Sequence, residues 1–150
     1  MPVSPIPQGH HNVTSYLIVD DAKSAIDFYK RAFDADELIC LEDGQRAAHA
    51  EVRIGDSNIM LCDETPDRNS RSPKSIGGTP ASLMVYVPDV DKTYKRALSA
   101  GARAEQPVQD QFYGDRAGTL VDPSGHRWTV ATHKEDVSPA ELKIRLKATH

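Results

Sequence analysis

Three positions in one short run, His49, Glu51 and Arg53, carry side chains suited to grip or protonate a small molecule. They stand two residues apart, and a strand turns every second side chain to the same face. An imidazole, a carboxylate and a guanidinium would therefore project together. A neighbouring imidazole and carboxylate can pass a proton or share a divalent cation. The plainer alternative is a polar pair hydrogen-bonded across a sheet. A second group lies in the run Phe112-Tyr113-Gly114-Asp115-Arg116. There Arg116 either offers its fork of donors to an anionic ligand or pairs with an aspartate and fixes its loop. In the run Arg127 to Ala131, alternation puts Arg127, Thr129 and Ala131 on one face and Trp128 with Val130 on the other. That makes Trp128 a core side chain and Thr129 a candidate for the cavity wall. His10 and His11 read as solvated imidazoles on a proline-rich arm, or as a dimer-bridging metal pair. His126 reads as an exposed turn residue, and His133 as a residue that orients the tail.

The elements that must position these groups are legible from pattern. Asn12 to Val19 is β-branched and aromatic, a strand. Asp20 and Asp21 can cap a helix in which Ala22, Ala25, Ile26, Tyr29, Ala32 and Phe33 repeat at helical spacing. Strands follow at Glu37 to Leu41, Ala47 to Ile54 and Asn58 to Cys62. Gly44 turns the first pair and Gly55-Asp56-Ser57 the second. In the middle strand Ala48, Ala50, Val52 and Ile54 are expected to face the helix. Glu64 to Ala81 is rich in proline and glycine and reads as a linker with some lid role. The order then recurs about 68 residues on (Val19 and Val87, Ala35 and Ala102). A strand at Ser82 to Val87 is followed by a helix capped by Asp89 and ended by Gly101. Strands at Ala104 to Gln109, Gly118 to Val121 and His126 to Thr132 complete the second half. Ser138-Pro139-Ala140-Glu141 opens a short C-terminal helix.

The whole is an α+β chain of two βαβββ modules with curved mixed sheets: first module 12–63, linker 64–81, second module 82–133, and tail with helix 134–150. A four-stranded sheet with one helix is covered on one side only. Two such halves are expected to turn their uncovered faces to a shared hollow, with His49 and Glu51 pointing inward.

Bulk properties narrow the partners. The chain has 150 residues, 39% hydrophobic and 27% charged, enough for one domain with a core of its own. Its net charge of −4 is spread along the sequence, which argues against nucleic acid as a partner. No apolar run approaches the ~20 residues of a membrane span, and the first residues lack the pattern of a secretory signal. The expectation is a cytoplasmic protein in which Cys40 and Cys62 are reduced thiols.

Several runs together resemble the vicinal oxygen chelate superfamily of glyoxalases, bleomycin-resistance proteins and extradiol dioxygenases, and its PhnB-like branch in particular. They are Ala25-Ile26-Asp27-Phe28-Tyr29-Lys30-Arg31-Ala32-Phe33, His49-Ala50-Glu51, Ile54-Gly55-Asp56-Ser57, Asp110-Gln111-Phe112-Tyr113-Gly114-Asp115-Arg116, Asp122-Pro123-Ser124-Gly125-His126-Arg127-Trp128 and Ala131 to Ser138. The resemblance spans Val13 to Glu135. It implies two cups enclosing a small-molecule site, within one chain or across a homodimer, and the homodimer is the expected partner. Catalytic members hold a divalent metal with His, Glu or Gln on the outer strands of each half. Here those strands offer Thr14 and Tyr16, Met60 and Cys62, Met84 and Tyr86, and Thr129 where the usual Glu would stand. The expectation is a binding protein without the standard metal, its ligand contacted by His49, Glu51, Arg53, Tyr113, Arg116 and Thr129. The alternative is a metal-dependent lyase, isomerase or dioxygenase, with His49 and Glu51 as the candidate metal ligands.

Overall fold

The computed structural model describes residues 2–149. Its elements run β1 (Tyr16–Val19), α1 (Ala22–Phe33), β2 (Asp36–Asp43), β3 (Arg46–Ile54), β4 (Ser57–Asp63), α2 (Pro73–Ile76), β5 (Ser82–Tyr86), α3 (Val90–Ser99), β6 (Arg103–Asp110), β7 (Asp115–Val121), β8 (Arg127–His133) and α4 (Pro139–Thr149). Each half forms a four-stranded mixed sheet, in the orders β1-β4-β3-β2 and β5-β8-β7-β6. The first strand of each half runs parallel to the last, and the other pairings are antiparallel. This is the expected pair of βαβββ units with a short C-terminal helix.

Both long helices start where a carboxylate satisfies their free amides. Asp21 accepts from Ser24 N at 3.2 Å and Asp89 from Lys92 N at 3.2 Å. The α1 helix buries Ala22, Ala25, Ile26, Phe28, Tyr29, Ala32 and Phe33, and α3 buries Val90, Thr93, Tyr94 and Ala97. The two helices pack on one another, and one core joins them to both sheets. Trp128 of β8 crosses between the halves, its ring 5.4 Å from that of Tyr29 and 4.9 Å from that of Phe33. The indole is thus a core side chain, as the alternation requires, and burying rings of this size dominates the apolar contribution to stability. Asp122, in the turn between β7 and β8, accepts from Tyr29 Oη at 2.6 Å and Trp128 Nε1 at 2.9 Å. One buried carboxylate thereby fastens the first helix to the second sheet.

The structure corrects several local expectations. The first strand holds only over Tyr16–Val19, the stretch that finds a partner in β4. β7 begins at Asp115 rather than Gly118, which places Asp115 and Arg116 in a strand. In β3 the register shifts against β2 between Leu41 and Glu42, so Ala47 is buried and Ala48 exposed. A bulge has exchanged the two alanines, and the expected alternation survives only from Ala50 onward. The segment 64–81 carries a 3-10 turn at Pro66–Arg68 and the single turn of α2. It is pinned by Glu64, which accepts from Ser72 N at 3.1 Å and Ser75 Oγ at 2.5 Å.

Two glycines mark close approaches. A Cβ on Gly114, whose φ is +103°, would lie 2.3 Å from the backbone oxygen of Glu135. One on Gly118 would lie 2.8 Å from Val108 and 3.0 Å from Tyr94. Only glycine lets the tail cross β7 at the first point and α3 settle on it at the second.

Candidate functional site

The helices cover one face of each sheet, and register fixes what lies on the other. In the first sheet Ile39, Glu51, Met60 and Tyr16 stand in a row across all four strands, with Leu41 beside His49 in the next. In the second sheet the matching row is Gln106, Thr119, Thr129 and Met84. Ile39, Leu41, Tyr16, Met84 and Tyr86 are all exposed, Leu41 at 52% and Tyr86 at 59%. The uncovered faces therefore present apolar and aromatic side chains to solvent.

At the centre of the first face is a hydrogen-bonded chain. Tyr16 Oη lies 2.9 Å from His49 Nδ1, and His49 Nε2 lies 3.3 Å from Glu51 Oε1. With the ring proton on Nε2, the phenol donates to Nδ1 and the imidazole donates to the carboxylate. Burial, then Cys62 and Glu51, hold the Tyr16 phenol above its ordinary value, so it remains a donor. The carboxylate has a second imidazole neighbour: His10 Nε2 lies 3.4 Å from Glu51 Oε2, and the His10 side chain is only 8% exposed. This overturns the reading of His10 as solvated, because the proline-rich arm folds back over β3. Nothing in the local sequence of the arm signals that contact. His11 is exposed, as expected.

The other expected site residues are dispersed. Arg53 lies on the open side of β3 and reaches Asp36 at 3.4 Å. Thr129 faces the open side of the second sheet, its hydroxyl 3.1 Å from that of Thr119. Tyr113 packs edge-on against Phe112, and burial followed by Asp115 raises its phenol. Arg116 turns toward the helix side: it donates to Asp91 at 2.9 and 3.0 Å and to Asp110 at 3.2 Å. Its fork is filled, so the reading as a pairing residue stands in place of the ligand grip. His126, expected in solvent, is half-buried with Nε2 3.0 Å from the Ile18 carbonyl, because the β7–β8 turn abuts the edge of β1.

Sequence reasoning missed a second polar cluster. Asp115, 4% exposed, accepts from Tyr86 Oη at 2.9 Å and faces His133 Nδ1 at 2.7 Å. His133 Nε2 lies 2.7 Å from Asp136. Hydrogen bonds to both aspartates hold this imidazole above its ordinary value. The signal was the earlier start of β7, which puts Asp115 directly opposite His133 in register.

The family pattern implies a metal, and the donors test it. The open-face rows put forward a phenol, two thioethers and a hydroxyl at Tyr16, Met60, Met84 and Thr129. That set does not suit a divalent cation, which takes imidazole, carboxylate or thiolate ligands. Among the described residues no three His, Cys, Asp or Glu side chains are placed to share one ion.

A cavity of about 820 Å³ lies between the halves. Its walls are the arm at Gly9–His11, the β3–β4 turn, the end of α1 and the length of β5. None of the six expected contact residues lines it, so the expected shared hollow walled by His49 and Glu51 is not this cavity, and Glu51 meets its wall only through His10.

Comparison with known proteins places the chain in context. The model of the glyoxalase/bleomycin resistance protein/dioxygenase superfamily matches residues 9–130. An uncharacterized Mycobacterium bovis protein, Mb0911c, is 40% identical over 141 residues, 91% of this chain and 92% of that one. Among solved structures, TioX from Micromonospora sp. ML1 is 25% identical with a TM-score of 0.64, covering 85% of this chain and all (100%) of that one. The PhnB protein from Bacillus cereus shares the fold at 18% identity and TM-score 0.64, over 81% of this chain and 99% of that one. The fosfomycin resistance protein FosX from Listeria monocytogenes shares it at 16% and 0.62, over 88% and 97%.

Proposed function

The chain belongs to the glyoxalase/bleomycin resistance protein/dioxygenase superfamily, and from that premise we propose that it binds a planar small molecule on the open face of its first sheet, without a metal at the usual positions. The observation that carries this reading is the Tyr16–His49–Glu51 chain set among exposed Ile39 and Leu41. Apolar surface beside a few fixed polar groups is the usual make-up of a ligand site. Arg53 extends the polar row toward an anionic substituent. A second copy of the chain completes the site: its second sheet brings Thr129 and Tyr113 over the ligand, and Met84 and Tyr86 leave solvent. This homodimer accounts for two exposed apolar faces on one small protein.

The test is a thermal-shift screen of planar antibiotics and glutathione conjugates, followed by titration of the hits. Tyr16→Phe and His49→Ala each weaken binding by about tenfold, the worth of one hydrogen bond, while the free protein melts as before. Unchanged affinity in both variants refutes the site. Sedimentation should give a dimer, and a monomer at high concentration refutes its completion by a second copy. The enzyme alternative takes its support from the same side chains, since an imidazole beside a carboxylate can pass a proton to or from a bound molecule. It requires bound metal at His49 and Glu51 after tag-free purification, measured by mass spectrometry.

A further inference from the structure

We propose that the cavity of about 820 Å³ between the halves is a separate ligand site for an uncharged, flat aromatic molecule carrying an N–H donor, and that the N-terminal arm gates it through a latch of His10 on Glu51. The cavity itself is separate from the open face, and its latch shares Glu51 with that face.

The volume falls within the ~300–1,000 Å³ of small-molecule sites. The floor is aromatic and apolar, with Trp128, Phe33, Ile59 and Leu83 at its surface. One wall is the free edge of β5, which no other strand pairs. Val87 N donates to Ala131 O on the β8 side. By the alternation of a parallel ladder, Met84 and Tyr86 turn their amides and carbonyls away from β8 toward the cavity. Those carbonyls accept from a ligand N–H. The rim holds three aspartates, and each is engaged: Asp34 by Arg96 at 2.7 Å, Asp36 by Arg53 at 3.4 Å and Asp56 by Ser57 at 3.0 Å. Two of these carboxylates are ion-paired, the third holds only a hydroxyl, and the lining carries no lysine or arginine, so nothing in the cavity favours an anionic guest over a neutral one.

The remaining wall is the arm. Its own internal bonds are short-range, Ile6 N to Ser4 Oγ and His10 N to Pro7 O. Val3 and Val13 are exposed and Ile6 is half-buried, so apolar burial holds it only lightly. Its polar tie to β3 is His10 against Glu51, just beyond Gly9, whose φ is +84°. Breaking one such contact lets the segment swing and opens the cavity along its length.

The experiment uses the full chain and the neutral probe N-phenyl-1-naphthylamine, read by energy transfer from Trp128, the sole tryptophan. We expect saturable transfer in the unaltered protein. Ser57→Tyr, an exposed lining position at the start of β4, abolishes it. Ser82→Tyr on the β5 wall serves if the first variant melts early. Stopped-flow entry speeds up about two- to fivefold in His10→Ala and in Glu51→Gln alike, the range for losing one weak ion-pair contact that holds a closed state. Absence of saturable transfer in both the unaltered protein and His10→Ala overturns the site, as does transfer that survives both blocking variants. Equal entry rates in all three proteins overturn the gate.

Discussion

Replacing Asp122 by Ala should unfold this protein more readily than any other single loss of a surface or buried carboxylate. Asp122 is 4% exposed and accepts four hydrogen bonds: from Tyr29 Oη at 2.6 Å, Trp128 Nε1 at 2.9 Å, Ser124 N at 2.9 Å and His126 N at 3.0 Å. Tyr29 and Trp128 are themselves buried, so neither recovers a water partner when the carboxylate goes. A stranded buried donor costs about 1–3 kcal/mol. The two aromatic donors alone therefore cost about 2–6 kcal/mol, and the loosened turn adds to that. A central figure of about 4 kcal/mol lowers Tm by roughly 10 °C for a domain of this size. Burial, then Asp122 itself, holds the Tyr29 phenol well above its ordinary value, so it stays a donor and the loss does not depend on pH near neutrality. Asp122→Asn keeps the shape but turns an NH₂ toward existing donors, and should fall between. Asp89→Ala is the control, since it removes a single exposed helix cap worth about 1 kcal/mol. Urea unfolding followed by Trp128 emission measures all three. If Asp122→Ala costs no more than Asp89→Ala, the carboxylate is not the fastening between α1 and the second sheet.

Three further outcomes follow from the geometry. Gly114→Ala places a methyl 2.3 Å from the Glu135 oxygen at a φ of +103°, and should cost about 2–4 kcal/mol in urea unfolding; a neutral result shows that the tail crosses elsewhere. His133 is held above its ordinary value of 6.5 by hydrogen bonds to Asp115 and Asp136. Its contribution is therefore complete below that value and fades as pH rises through the elevated one. His133→Gln should melt below the unaltered protein in acid, with the gap closing toward alkaline pH, and a gap constant from pH 5 to 9 refutes the pairing. The α4 helix buries no side chain and is tied to the rest of the chain mainly by Arg145, which reaches Glu135 and the Phe112 carbonyl. Ending the chain after Val137 should shift Tm by only a few degrees, as judged by calorimetry.

The two modules were readable because their signals are local. Asp21 and Asp89 each precede a run of apolar residues at helical spacing, and Gly44, Gly55 and Gly125 sit where turns need positive φ. The errors arose where the outcome depends on a partner strand. Ala47 and Ala48 differ in nothing but position, so which one is buried is decided by the bulge against β2. The start of β7 is decided by His133 lying opposite Asp115. His49 and Glu51 were found from spacing, since period two needs no tertiary knowledge. His10 was misplaced because a contact across 41 residues from a proline-rich arm leaves no trace in local pattern. Spacing leaves Arg116 open between an anion grip and an aspartate pair, and the pleat, which sends it to the helix side and into Asp91, is what decides between them.

These misplacements share a cause that bears on function. Side chains that face the helices are specified by packing, because a wrong choice there strands a polar group or leaves a void. Those on the open faces are not specified that way within one chain. Leu41 and Tyr86 are more than half exposed, and an isolated monomer gains nothing from keeping them apolar. The two faces also differ in character: a Tyr–His–Glu chain ringed by Ile39 and Leu41 on one, hydroxyls with Met84 and Tyr86 on the other. In the dimer proposed above, the two unlike faces of each chain would meet across a two-fold axis, first sheet to second sheet. The polar chain at Tyr16, His49 and Glu51 would then become enclosed, where lower local dielectric strengthens its hydrogen bonds and makes it selective for a ligand that completes them.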